Sequence, residues 1–199
     1  IEVDPSKEYE SFPLTEIQHA YLVSRGDSSS QATVGTTYCQ IFAVDEIDLD
    51  RLDAAWGKVQ KRHGMMRASV EEDGTQSIAP SSKIGHIERA ECANSSEAKQ
   101  QLEEIKRTVF ALAKPPLHRV VSISWHEESG KQTRLVFCFD YTVLDALSVM
   151  TVLAELAELY ENPGADLPGI GLTFREFVVG HRRAGREVEE AEGYWRSRL

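Results

Sequence analysis

Apolar residues recur along the chain with two periods, and the elements follow from them. Thr15 is a natural helix N-cap, and Gln18 three residues later completes a capping box. Ile17, Ala20, Tyr21 and Ser24 then fall on one helical face. Residues 36–44 alternate as a strand. An aspartate, Asp48 or Asp50, starts a helix whose buried stripe reads Leu49, Leu52, Ala55, Trp56 and Val59, with Gly64 as its stop. Short strands are expected over 66–71 and 76–79, joined through Glu72-Asp73-Gly74. Ser96 is placed to cap a helix carrying Ala98, Leu102, Ile105 and Val109.

The strongest strands are 117–125 and 133–139, and the short link containing Gly130 makes them a hairpin. A long helix follows over 146–160, with Val149, Met150, Leu153, Leu156 and Tyr160 on one side, ended by Asn162-Pro163-Gly164. Thr173 and Glu176 form a second capping box. A charged final helix over 187–199 is read with Ala191, Tyr194 and Trp195 facing inward, and Trp56, Trp125 and Trp195 are read as core anchors. Residues 1–11 read as a linker, residues 12–199 as one folded unit, and 26–33 as a Ser-rich loop. Strands and helices mix without strict alternation. That predicts an α/β (α+β) fold with helices packed on a mixed, largely antiparallel sheet.

Composition narrows the function. Among 199 residues, 32 Asp and Glu against 22 Lys and Arg leave a net charge of −10, which disfavours a phosphate backbone as partner and predicts no nucleic-acid binding. No apolar run approaches the ~20 residues a bilayer span needs, so no membrane association is expected. Cys39, Cys92 and Cys138 read as scattered reduced thiols of a cytoplasmic protein. The chain opens on Ile1 and is expected to be a piece of a longer protein. Its six histidines show no HxxxH pair and no cysteine partners at zinc spacing, so no metal is expected. Phosphate-loop and nucleophile-elbow motifs are absent from the sequence.

One segment carries candidate chemistry. Asp140 ends the apolar strand and Asp145 precedes the long helix, with Tyr141, Thr142, Val143 and Leu144 between them. A helix N-terminus favours negative charge, so Asp145 also reads as a plain cap and Asp140 as a solvated strand end.

The segment from Phe139 to Ser148 resembles the DxxxxD signature of heterocyclization domains of nonribosomal peptide synthetases, relatives of condensation domains in which HHxxxDG is replaced by two aspartates. Further motifs agree in order. Phe12-Pro13-Leu14-Thr15 with Gln18, Ala20-Tyr21 and Arg25 is similar to the family's opening motif, with Ser24 where that motif has glycine. Arg62-His63 with Met66-Arg67-Ala68 resembles RHxMLRA, Asp73-Gly74 with Gln76 the DGxQ turn, Pro116-Leu117 the start of the central strand, Leu172 to Phe177 the LSFRDY segment, and Tyr194-Trp195 a YW pair.

The resemblance implies the N-terminal half of a two-part, chloramphenicol-acetyltransferase-like domain, with the C-terminal subdomain as an absent partner and the half inactive alone. It implies an enzyme that condenses an acyl thioester with Cys, Ser or Thr and cyclodehydrates the product to thiazoline or oxazoline. The substrates would ride on phosphopantetheine arms of upstream and downstream carrier domains, beside an adenylation domain, with no cofactor bound directly. Asp140 and Asp145 would be catalytic or structural, Arg67 would ion-pair with Asp145, and Tyr141 and Thr142 would line a tunnel. Two other readings stay open: half of an ordinary condensation or acyltransferase domain, and a non-catalytic carrier-docking module. Against the former stands the absence of any histidine between Phe139 and Ala146.

Overall fold

The computed structural model describes residues 4–26, 36–82, 84–183, 191 and 193–198. In chain order its elements are β1 (Phe12–Pro13), α1 (Glu16–Gly26), β2 (Thr37–Val44), α2 (Leu49–Arg62), a 3-10 turn (Gly64–Arg67), β3 (Ala68–Val70), β4 (Thr75–Ile78), β5 (Glu88–Glu91), α3 (Ser95–Lys106), β6 (His118–Glu127), β7 (Gly130–Asp140), α4 (Ala146–Glu161) and α5 (Phe174–Arg183). Most of the loop expected over 26–33 and much of the final helix lie outside the described residues.

The main sheet has the order β2-β7-β6-β5. Its first two pairings are antiparallel and β5 joins β6 in parallel, so the sheet is mixed as the sequence predicts. A small antiparallel sheet, β1-β4-β3, stands apart. Alternation along β7 sorts two cores. Leu135, Phe137 and Phe139 pack with Leu52, Trp56 and Val59 of α2 and with Val149, Val152, Leu156 and Leu159 of α4. Val136 and Cys138 face the other way, onto Ala98 and Ile105 of α3. The predicted hairpin is present, and Gly130 takes a φ of 115° that side chains rarely adopt.

Several expectations are corrected. On α1 the inward positions are polar: Gln18 is buried while Ile17 is 65% exposed. Met150 is 68% exposed, because α4 turns Val149, Val152, Leu156 and Leu159 to the sheet instead. Trp195 is 59% exposed and Tyr194 is exposed, so neither anchors the core. Asn94, not Ser96, caps α3, its side chain accepting the Ser96 and Glu97 amides, and Val109 lies beyond the helix, exposed. Strand β5, Glu-Arg-Ala-Glu, has no apolar signature because it is an exposed edge. Cys39 and Cys138 are not scattered: they face each other in the β2–β7 register with Cα atoms 4.2 Å apart and are joined as a disulfide, while Cys92 is free.

His118 sits inside the core, its ring edge-on to Trp56 at 5.1 Å and hydrogen-bonded to the Met66 backbone. Among the described residues its Nε2 has no partner. Burial drives its pKa down from 6.5 to about 4, the Met66 bond opposing. Between those two values the unfolded chain binds a proton that the native ring refuses, so stability falls as pH drops through this window. The loss reaches about 3 kcal/mol. Urea titrations of wild type and His118→Gln from pH 7 to pH 4 should diverge by that amount, with the wild type losing more; parallel curves would contradict the assignment.

Candidate functional site

Asp140 ends β7 with no exposed surface. Its position, two residues after Cys138, sets it on the α3 side of the sheet. One carboxylate oxygen, Oδ2, receives Nη2 of Arg25 in an ion pair. The other, Oδ1, accepts the Thr36 hydroxyl and the Thr142 amide, each at 2.9 Å. Arg25 Nη2 also donates to Thr36 Oγ1 at 2.8 Å, and Nη1 to the Phe110 carbonyl at 3.2 Å. Breaking a buried pair of this kind costs about 3–5 kcal/mol. Asp140 is thus neither a solvated strand end nor a group facing the cleft described below.

The same helix supplies a second polar tie. Gln18 and Gln76 exchange amide hydrogen bonds at 2.9 and 3.0 Å, and Gln18 also donates to the Thr142 carbonyl at 2.8 Å. Thr15 completes the capping box through its amide and hydroxyl on Gln18 Oε1. The turn before Gln76 needs Gly74, whose φ is +81° and whose missing Cβ leaves room for the His19 ring. Four residues from three motifs, Gln18, Arg25, Gln76 and Thr142, therefore converge on the junction after β7.

Asp145 lies apart from this network. It is exposed and caps α4, accepting the Ser148 amide at 2.8 Å. Hydrogen bonds from the Ser148 side chain and backbone hold its carboxyl below the usual carboxylate range. The expected Arg67–Asp145 ion pair is not formed. Arg67 is 2% exposed and donates to the Gln60 carbonyl at 2.5 Å, Lys61 at 2.8 Å and Ala79 at 2.9 Å, with Glu8 at 3.3 Å. Residues 60 and 61 are the last turn of α2, where unpaired carbonyls and the helix dipole draw a cation. The guanidinium serves that helix end rather than the neighbouring helix start.

A cleft of about 610 Å³ opens beside the junction, within the size range of ligand sites. Tyr141, Thr142 and Asp145 line it, together with Arg62, His63 and Ile17. Tyr141 stacks on Tyr38 with centroids 5.5 Å apart, and burial raises its phenol pKa. Asp145 thus faces the cleft and Asp140 does not, so the two aspartates part company. Neither Thr36 nor the pairing of Arg25 follows from sequence spacing; the opening motif contains Arg25 without naming its partner. Among the described residues no cluster could hold a metal ion and no helix is long and apolar enough to cross a membrane.

Comparison with known proteins agrees. A family model described as the condensation domain matches residues 8–199. The chain is 32% identical over 183 residues to phenyloxazoline synthase MbtB of Mycolicibacterium paratuberculosis, a match covering 87% of the chain and 15% of that protein. It is 28% identical over 202 residues to bacitracin synthase 1 of Bacillus licheniformis, covering 98% of the chain and 4% of the relative. The chain thus spans a small part of these relatives. Among solved structures, the cyclization-docking bidomain of the EpoB nonribosomal peptide synthetase from Sorangium cellulosum superposes with a TM-score of 0.87 at 28% identity, covering all of this chain and 41% of that one.

The structure separates the roles of the two acidic side chains in energy as well as place. Arg25→Ala and Asp140→Ala should each cost about 3–5 kcal/mol and couple strongly in a double-mutant cycle. Asp145→Ala, losing only a cap, should cost about 1 kcal/mol. Urea unfolding of these three variants, of Arg67→Ala and of the Arg25/Asp140 and Arg67/Asp145 double variants checks this; coupling between Arg67 and Asp145 but none between Arg25 and Asp140 would reverse the assignment.

Proposed function

The chain belongs to the condensation-domain family, and from that premise we propose that it is the N-terminal subdomain of a nonribosomal peptide synthetase heterocyclization domain. The observation that carries the reading is the junction itself. Aspartates stand at both ends of the DxxxxD segment, Tyr141 stands where ordinary condensation domains have a histidine, and the first aspartate is locked to Arg25 of the opening motif. The names of the relatives, an oxazoline synthase and a cyclization bidomain, point the same way.

In this reading the whole domain joins an upstream acyl thioester to Cys, Ser or Thr held on a downstream carrier. The side chain then closes onto the new amide carbonyl and water leaves, giving thiazoline or oxazoline. Both reactants arrive on phosphopantetheine arms of carrier domains, so the subdomain supplies position rather than a cofactor. Holding two tethered reactants in register can lower the barrier by several kcal/mol. The C-terminal subdomain would close the other side of the cleft, and an adenylation domain would load the acceptor carrier.

Asp140 then acts through the fold: it fixes the backbone of Tyr141 and Thr142, which line the cleft. Asp145 starts α4 along the cleft wall, and Arg67 is a helix-end clamp rather than its partner. In the intact synthetase with loaded carriers, mass analysis should find the amide product lighter by one water. An amide that keeps its water throughout would assign the chain to ordinary condensation, and loading-dependent carrier binding with no amide at all would assign it to docking.

A further inference from the structure

A second polar cluster lies on the cleft wall, ten residues further along α4 than Asp145. Glu155 presents one oxygen, Oε2, to two donors from the end of α2: Arg62 Nε at 3.0 Å and His63 Nε2 at 2.6 Å. Arg62 also reaches the Pro168 carbonyl through Nη2 at 2.5 Å. Burial pushes the Glu155 carboxyl up, but the His63 and Arg62 bonds outweigh it and hold the group below its ordinary value. Both Arg62 and His63 line the cleft with Tyr141, Thr142 and Asp145.

Arg62 gives Glu155 a permanent cationic partner besides the imidazole. The imidazole, in turn, is oriented by the carboxylate. A carboxylate on Nε2 selects the tautomer that carries its proton there and leaves Nδ1 as a free lone pair. Nδ1 has no hydrogen-bond partner among the described residues, and the His63 side chain keeps about a fifth of its surface exposed (19%). A ring fixed by a carboxylate, with its second nitrogen unpartnered, on a residue that lines a ligand-sized cleft, is the arrangement of a general base.

We infer that His63, oriented by Glu155, accepts the proton of the amine that attacks the thioester in this cleft. This rests on the condensation and cyclization reading and names the group that takes up the proton when the DxxxxD junction has no histidine. As the amine nitrogen forms its bond to the thioester carbonyl carbon, the nitrogen proton passes to His63 Nδ1. The carbon–sulfur bond then breaks, and the same proton returns from Nδ1 to the leaving thiolate. The charged groups at His63 are Arg62 beside it on α2 and Glu155 on α4, and the other charged residues lining the same cleft are Asp145, the cap of α4, and Glu8 of the N-terminal segment. At 1.5 Å rise per residue, Glu155 stands about 15 Å along α4 from Asp145, a length that an extended tethered thioester can follow.

The test is single-turnover amide formation by the full synthetase with loaded carriers, followed from pH 5 to pH 9, with ring closure scored separately by mass. His63→Gln keeps a donor toward Glu155 but cannot take up a proton. Its amide-forming rate should fall by about 100-fold or more and lose the acid-side decline expected of the wild type, while its melting temperature stays unchanged. Glu155→Gln, which loosens the ring without removing it, should lose about tenfold and retain that decline. Two results overturn the proposal: a His63→Gln rate within a factor of about three of wild type, or a slower rate whose pH profile parallels the wild type. Wild type that forms amide but never closes the ring rejects the cyclization reading instead, with His63 still decided by its own profile.

Discussion

Asp140 has no contact with water, and a carboxylate in that position costs several kcal/mol unless a cation and hydrogen-bond donors surround it. Arg25, Thr36 and the Thr142 amide provide that shell. Each comes from a different place: the end of α1, the residue before β2, and the turn after β7. Satisfying one buried charge therefore sets where α1 docks, how β2 begins and which way the chain leaves the sheet. The cleft inherits its geometry from this constraint, because Tyr141 and Thr142 are both hydrogen-bonded to the shell and part of the cleft wall.

This accounts for why α1 turns its polar side inward. Apolar residues at Ile17 and Val23 face out, while Gln18 and Arg25 spend their hydrogen bonds on the junction. A helix docked by amides and a guanidinium is fixed in angle and register, since each bond has a direction that hydrophobic contact lacks. On the proposed function, in which this wall holds tethered reactants in register, directional docking matters more than the few kcal/mol it contributes. The acidic side chain that looks most like a reacting group is, on this account, the centre of the scaffold. The polar side chains that line the cleft are others, among them Asp145 and His63.

Much of the fold was readable because local rules and tertiary packing agree in it. The β6–β7 hairpin, the α2 stripe around Trp56 and both capping boxes follow from periodicity and cap chemistry alone. The failures share a cause: partners distant in sequence decided the outcome. Ile17 satisfies a helical stripe, yet the junction needs Gln18. Arg67 lies in a motif that suggested a carboxylate partner, yet the carbonyls at the end of α2 lie closer to hand. Cys39 and Cys138 are 99 residues apart, and only strand register brings them together. Edge strand β5 has no apolar pattern because, Ala90 apart, its side chains are exposed. At the site, the motif residues were visible from the sequence but their pairing was not.

The Arg25–Asp140 pair holds the junction and, through it, the cleft wall. Amide hydrogen exchange on wild type and Arg25→Gln measures this directly at Tyr141 and Thr142. Loss of a buried partner worth about 3 kcal/mol should speed exchange at these two amides by about 100-fold, with the β6–β7 hairpin far from the junction unchanged. Equal protection of Tyr141 and Thr142 in the two proteins would contradict the account.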